Sequence, residues 1–211
     1  TPYGEWGQVD FGTTLLNTDS GKKQRIHFFV MVLGRSRQKF VYFQNTPFTS
    51  KTAIYAHQLS FDYFQGSPHK LLYDQDRVFT KGENFVDIVL TREFGRYTSK
   101  EVFTPIFCRK ADPQTKGKVE NVIKYIKHNF LVARKYYSDE QLNKEVLSWL
   151  ARTGNGKISR ATELVPMEEW NKEKEYLLAP RTAPVKPEPE YKEYSVRKDH
   201  TIRYRGNYYS L

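Results

Sequence analysis

One cysteine, Cys108, is all that this 211-residue sequence contains. A lone thiol can form neither an internal disulfide nor a multi-cysteine zinc site. Its place after the apolar run Val102–Phe107 reads as a packed thiol rather than a nucleophile. Long apolar runs are missing as well. Nothing approaches the roughly 18 residues that a membrane span needs, and no charged-then-apolar leader opens the chain. Membrane and secretory readings find no support, and the cytoplasm is the expected location. No glycine-rich phosphate loop or Gly-x-Ser-x-Gly elbow occurs, so neither nucleotide hydrolysis nor serine-esterase chemistry is indicated. His27, His57, His69, His128 and His200 lack close metal-ligand spacing. The sequence begins at Thr1 without a methionine and stops after Tyr208-Tyr209-Ser210-Leu211, which reads as a fragment of a longer protein with its last module truncated.

Aromatic residues, by contrast, are abundant: 15 Tyr, 14 Phe and 3 Trp supply a core and exclude the composition of a disordered chain. Trp6, Trp149 and Trp170 are most simply core or interface residues. Lys and Arg number 34 against 24 Asp and Glu, a formal charge of +10. More than half of that excess falls between Arg109 and Lys135, where eight cations face only Asp112 and Glu120. A localised positive field suits a polyanion such as nucleic acid. Its plainer reading is a solvated basic helix face.

Periodicity gives a mixed order of elements. Gln8–Leu16, Arg25–Leu33 and Lys39–Gln44 read as three strands, the first two joined by a polar turn around Gly21. Lys51–Phe64 has helical spacing behind a cap at Thr49 or Ser50. His69–Tyr73 is a short buried strand ending at Asp74. The Thr80-x-x-Glu83 spacing of a capping box predicts a helix over Glu83–Phe94, followed by a strand over Lys100–Phe107. Asp112-Pro113 opens a long helix, and Ser138–Gln141 caps another that reaches about Arg152. A short helix is expected around Pro166–Leu178, an extended proline-rich linker over Ala179–Pro189, and alternating strands from Tyr191 to Leu211. An antiparallel meander followed by βα crossovers fits an α/β, ribonuclease-H-like mixed sheet flanked by helices. The expected division is 1–153 as the core, 154–190 as a connector and 191–211 as a small β module.

Two acids stand where apolar residues would be expected. Asp10 interrupts the strand-like run Trp6–Leu16, and Asp74 ends the apolar strand Leu71-Leu72-Tyr73. Strand-borne carboxylates are costly unless a charge or a metal compensates them. Their plainer readings are a solvated strand face for Asp10 and a turn former for Asp74. On the basic helix, Val119, Val122, Ile123, Ile126 and Phe130 fall within about 100°. Measured from Val119, Glu120 lies at about 100°, at the edge of that stripe, flanked by Lys116, Lys127 and Lys124 at about 60°, 80° and 140°. An ordinary Glu120–Lys124 pair is the plainer reading there. Three carboxylates from three elements could converge at one end of a sheet and hold two Mg²⁺ about 4 Å apart, the arrangement that breaks and joins phosphodiesters. Mg²⁺ is hard and prefers oxygen, so no Cys or His is required.

These residues resemble a known family. Gly7-Gln8-Val9-Asp10-Phe11-Gly12 is similar to the first-acid motif of integrase-core transposases, and Leu72-Tyr73-Asp74 resembles their second-acid strand. Lys116-Gly117-Lys118-Val119-Glu120-Asn121 resembles the motif carrying the third acid. The tail Ile202–Ser210 looks like the small β-domain of the IstA branch, the transposases of bacterial insertion sequences that also encode an ATP-dependent helper. The likeness covers about residues 4–153 and 191–211. Between Asp74 and Glu120 stand 45 residues, more than in retroviral integrases, which favours the IstA branch. Asp76 is the alternative second acid.

The resemblance implies a DDE-type polynucleotidyl transferase in which Asp10, Asp74 and Glu120 are catalytic and hold Mg²⁺ or Mn²⁺, while Lys116, Lys118, Lys124 and Lys127 bind DNA. It further implies a homo-oligomer acting on element ends and target DNA with an AAA+ ATPase partner. A structure-selective nuclease on the same fold, and a non-catalytic DNA-binding or multimerisation module, are the competing readings.

Overall fold

The computed structural model describes residues 2–73, 80–83, 88–107, 122–160, 162–188, 200–204 and 207–210. Three antiparallel strands open the chain: β1 (Trp6–Asn17), β2 (Lys23–Leu33) and β3 (Lys39–Gln44). Helix α1 (Ser50–Phe64) leads to β4 (Lys70–Tyr73), which lies parallel to β1. β5 (Thr80–Glu83) and β6 (Ile88–Leu90) form a separate pair, then α2 (Arg92–Lys100) leads to β7 (Thr104–Phe107), parallel to β4. The main sheet has the order β3-β2-β1-β4-β7.

Residues 122–129 form a helix, α3. It precedes α4 (Asp139–Trp149), a π-helical turn at Leu150–Gly154 and α5 (Pro166–Glu173). β8 (Thr201–Tyr204) and β9 (Asn207–Ser210) make a hairpin near the end of the chain.

Alternation along the strands divides the core in two. Val9, Phe29, Met31 and Leu33 pack with Ala53, Phe61 and Phe64 of α1 and Phe94 of α2. Leu16, Ile26, Phe28, Val30 and Val32 pack with Val122 and Ile126 of α3, then Val146 and Trp149 of α4. β2 is therefore buried on both faces, which is why its sequence reads as one apolar run. Gly12 makes room on the second face: a Cβ there would stand 2.3 Å from the Phe28 ring.

Local chemistry sets the helix limits. Thr49 caps α1 in a capping box with Thr52, and Ser138 caps α4 by accepting from the Gln141 amide. The outer edge of β3 is sealed by side chains. The Asn143 amide accepts from Phe43 N and donates to Phe43 O, at 2.7 and 2.8 Å. Asn155 does the same at Lys39, at 2.9 and 2.8 Å. Each asparagine supplies the two bonds that a neighbouring strand would make.

The helix expected over Glu83–Phe94 is not formed. Thr80–Glu83 and Ile88–Leu90 are strands, and the helix spans Arg92–Lys100 instead. Aliphatic, partly β-branched Ile88-Val89-Leu90 favours extended backbone. The effective cap is Thr91, whose hydroxyl accepts from Phe94 N at 3.3 Å. Lys100 consequently ends a helix, and the strand expected to begin there is confined to Thr104–Phe107. Among the described residues no helix is long and apolar enough to cross a membrane.

Candidate functional site

Asp10 lies in the middle strand of the sheet, opposite Val30 of β2. Its neighbour Val9 pairs with Tyr73, the last residue of β4. Strand alternation fixes which way Asp10 faces. Val9 and Phe11 pack on the α1 side, whereas Gly12 opposes the Phe28 ring and Leu16 is buried on the α3 side. Asp10 shares the parity of Gly12 and Leu16, so its half-buried side chain faces the layer that contains α3. One of its carboxylate oxygens accepts from Phe11 N at 2.8 Å.

α3 brings cations to the same side. Val122 and Ile126 anchor it, as the apolar stripe predicted. Lys127 Nζ stands 5.9 Å from the centre of the Phe28 ring, and Lys124 is exposed. Asp74 follows Tyr73 directly in the chain and Glu120 precedes Val122 by two residues, but both lie outside the described residues, as do Asp76, Cys108, Lys116 and Lys118. Of the seven expected site residues the structure thus places Asp10, Lys124 and Lys127. Among the described residues no three His, Cys, Asp or Glu side chains gather as a metal site.

Beneath the end of β4 is a pair that sequence reasoning passed over. His57, fully buried in α1, has Nδ1 2.7 Å from Ala53 O and Nε2 3.0 Å from Tyr73 Oη. The carbonyl requires a proton on Nδ1, so Nε2 accepts from the phenol. Burial pushes the His57 ring down to about 4 and the Tyr73 phenol well above its ordinary range, so both stay neutral. The ring sits among Phe29, Phe61, Phe94 and Phe103. This bond ties α1 to the residue before Asp74. The only trace in the sequence was a tyrosine next to an acid at a strand end.

Two helices begin at this end of the sheet. Ser50 Oγ of α1 lies 3.0 Å from the Thr91 hydroxyl that caps α2, and Phe94 of α2 packs on Tyr73 at 5.7 Å. Helix N-termini carry partial positive charge and favour anions. α1 has no acid in its first turn, and α2 has Glu93.

No family model matches the chain. A transposase for an IS21-like insertion sequence element of Bacteroides fragilis is 51% identical over 211 residues, covering 100% of this chain and 41% of that protein. The transposase for insertion sequence IS21 of Pseudomonas aeruginosa is 28% identical over 177 residues, covering 82% of this chain and 43% of its own length. The chain thus spans about two fifths of these relatives. Among solved structures, a chain of the simian T-cell lymphotropic virus intasome, in complex with the PP2A regulatory subunit B56 gamma, aligns with a TM-score of 0.54 and 16% identity. That alignment covers 97% of this chain and 65% of the other. A weaker likeness, with a TM-score of 0.49 and 17% identity, is to the HTLV-2 integrase catalytic core domain solved with magnesium, covering 79% of this chain and 96% of that one. The five-stranded mixed sheet flanked by helices is the ribonuclease-H-like, integrase-core fold.

Proposed function

Because the chain belongs to the IS21 family of transposases, we propose that it is the catalytic core of a DNA transposase acting through Asp10, Asp74 and Glu120. The observation that carries this reading is the placement of Asp10. It lies one residue beyond the Val9–Tyr73 pair, on the sheet face covered by α3; in the sequence Asp74 directly follows Tyr73 and Glu120 stands two residues before Val122.

The donor set suits a hard divalent cation, since Asp10, Asp74 and Glu120 all offer carboxylate oxygens. Bound there, two Mg²⁺ or Mn²⁺ ions supply Lewis-acid stabilisation of the charge that builds on the phosphate and its leaving oxygen. The chain itself supplies position. The Phe11 amide holds one oxygen of Asp10, and Lys124 and Lys127, with Lys116 and Lys118, neutralise the phosphates on either side. Water attacks a phosphodiester at the element end, the bond to the 3′-oxygen breaks, and a 3′-hydroxyl is released. That hydroxyl then attacks a phosphodiester of the target DNA, whose own 3′-oxygen leaves.

In this reading residues 1–153 are the core, 154–190 a connector and 191–211 a small β module. The protein works as a homo-oligomer on paired element ends, with an AAA+ ATPase as helper.

The test incubates the full chain with labelled element-end DNA, target plasmid and Mg²⁺. Asp10→Asn, Asp74→Asn and Glu120→Gln should each abolish cleavage and joining while DNA affinity stays within about two-fold, because each removes a metal ligand and no phosphate contact. Cleavage retained by Asp10→Asn overturns the site. Cuts without joined product by the native chain mean a nuclease, and binding without either means a non-catalytic module.

A further inference from the structure

Among the described residues the β1–β2 ribbon extends past the strands that flank it. Among the described residues β4 pairs with β1 at Trp6–Val9 alone, and β3 pairs with β2 at His27–Val32 alone. Beyond these limits four pairs remain, Thr14–Ile26, Leu15–Arg25, Leu16–Gln24 and Asn17–Lys23, as a two-stranded arm. The arm is braced. On its α3 side Leu16 and Ile26 are buried in the core, and at its edge Tyr136 N donates to Asn17 O at 2.8 Å.

Its other side, which continues the α1 side and is thus the face opposite the Asp10 carboxylate, is exposed. Thr13, Leu15, Asn17, Lys23 and Arg25 are exposed there, and Leu15 keeps 52% of its surface. The acid of the tip, Asp19, is engaged by Lys135 at 3.2 Å. Among the described residues Lys22, Lys23 and Arg25 have no carboxylate partner.

We propose that this arm is a second DNA contact, in which Lys23 and Arg25 grip backbone phosphates away from the reacting one. The proposal rests on the transposase reading for its choice of ligand. A second copy of the chain is disfavoured, because a two-fold interface would set these cations against themselves. Only Leu15 would offer apolar area. The distance follows from the strand. Arg25 lies at the level of Leu15 and Lys23 at that of Asn17, five and seven residues beyond Asp10. At about 3.3 Å per residue these levels are roughly 17 and 23 Å along the strand from the acid, with the two side chains on the other face of the ribbon. With about 3.4 Å of helix axis per phosphate of one strand, the contacts fall at least about five nucleotides from the reacting phosphate.

The experiment measures binding of the full chain to element-end DNA without divalent metal, so that it does not depend on cleavage. It combines phosphate-ethylation interference with a salt titration for the native chain and a Lys23→Ala/Arg25→Ala variant. The native chain should show interference at least about five nucleotides from the end, and the variant should lose that signal alone. Two lost contacts lower the salt exponent by about 1.8, so between about 50 and 200 mM salt the variant's affinity should fall about 12-fold less than the native chain's. An unchanged footprint and exponent overturn the proposal. So does an unchanged footprint with a smaller particle mass, which would make the arm an interface between copies. If the native chain cuts nothing with Mg²⁺ yet the variant loses these phosphates, the catalytic reading fails and the arm stands.

Discussion

Acidification should destabilise the fold through His57, by an amount that the structure sets. The ring is fully buried, gives Nδ1–H to Ala53 O and accepts from Tyr73 at Nε2, so a second proton would put a charge where water cannot reach it. Burial takes its pKa from 6.5 to about 4. Because the folded value is the lower, the unfolded chain binds more protons between these limits. The contribution is fully present above pH 6.5 and is lost as pH falls towards about 4. At about 1.4 kcal/mol per unit, the loss between pH 7 and pH 4 is about 3 kcal/mol, a large part of a domain's stability. Urea unfolding at stepped pH reads it directly. His57→Gln, which can still accept from Tyr73, supplies the comparison, because other groups titrate equally in both chains. Among those is His27, which is also pushed down by burial and by Arg25. The native chain should lose stability more steeply than the variant below pH 6.5. Parallel curves would refute a buried neutral imidazole.

Two further outcomes follow. Asn143→Ala and Asn155→Ala each strip two bonds from the β3 backbone and should cost about 1–3 kcal/mol in urea unfolding. The loss should be larger at fully buried Asn155 than at half-buried Asn143, where water can substitute; the reverse order would contradict the sealed edge. Lys124→Ala and Lys127→Ala should each lower the salt exponent of DNA binding by about 0.9, and an unchanged exponent removes that lysine from the interface.

How far the sequence carried depends on which force shaped each element. β2 and β3 were legible because burial leaves a continuous apolar run, and α1 because Thr49 caps a periodic segment. α2 was not, because only Phe94 and Tyr97 of its nine residues are buried, while Thr80-x-x-Glu83 imitates a cap inside a strand. The stretch after Leu178 has no periodicity because polar groups hold it: Arg181 N donates to Glu101 at 3.1 Å and Val185 N to Gln58 at 3.2 Å. The asparagines that seal β3 are equally silent in sequence, since one bidentate side chain leaves no repeat. Asp10 was legible as an acid in a strand. Its side of the sheet and its level against Tyr73 came only from the register.

That register also explains how a carboxylate is tolerated in the middle strand. From Trp6 to Val9, β1 is flanked by β2 and β4, and Gln8 and Val9 keep 8% and 2% of their surface. The described pairing with β4 stops at Val9, and the next residue is half-exposed. One position earlier an ionised side chain would point into the apolar cluster on α1, and two positions earlier it would be almost fully buried. Either would carry a desolvation cost of several kcal/mol. At position 10 the same side chain is only half-buried and one of its oxygens accepts from Phe11 N. The acid thus stands at the first β1 position that has no described β4 partner, where part of its side chain reaches solvent.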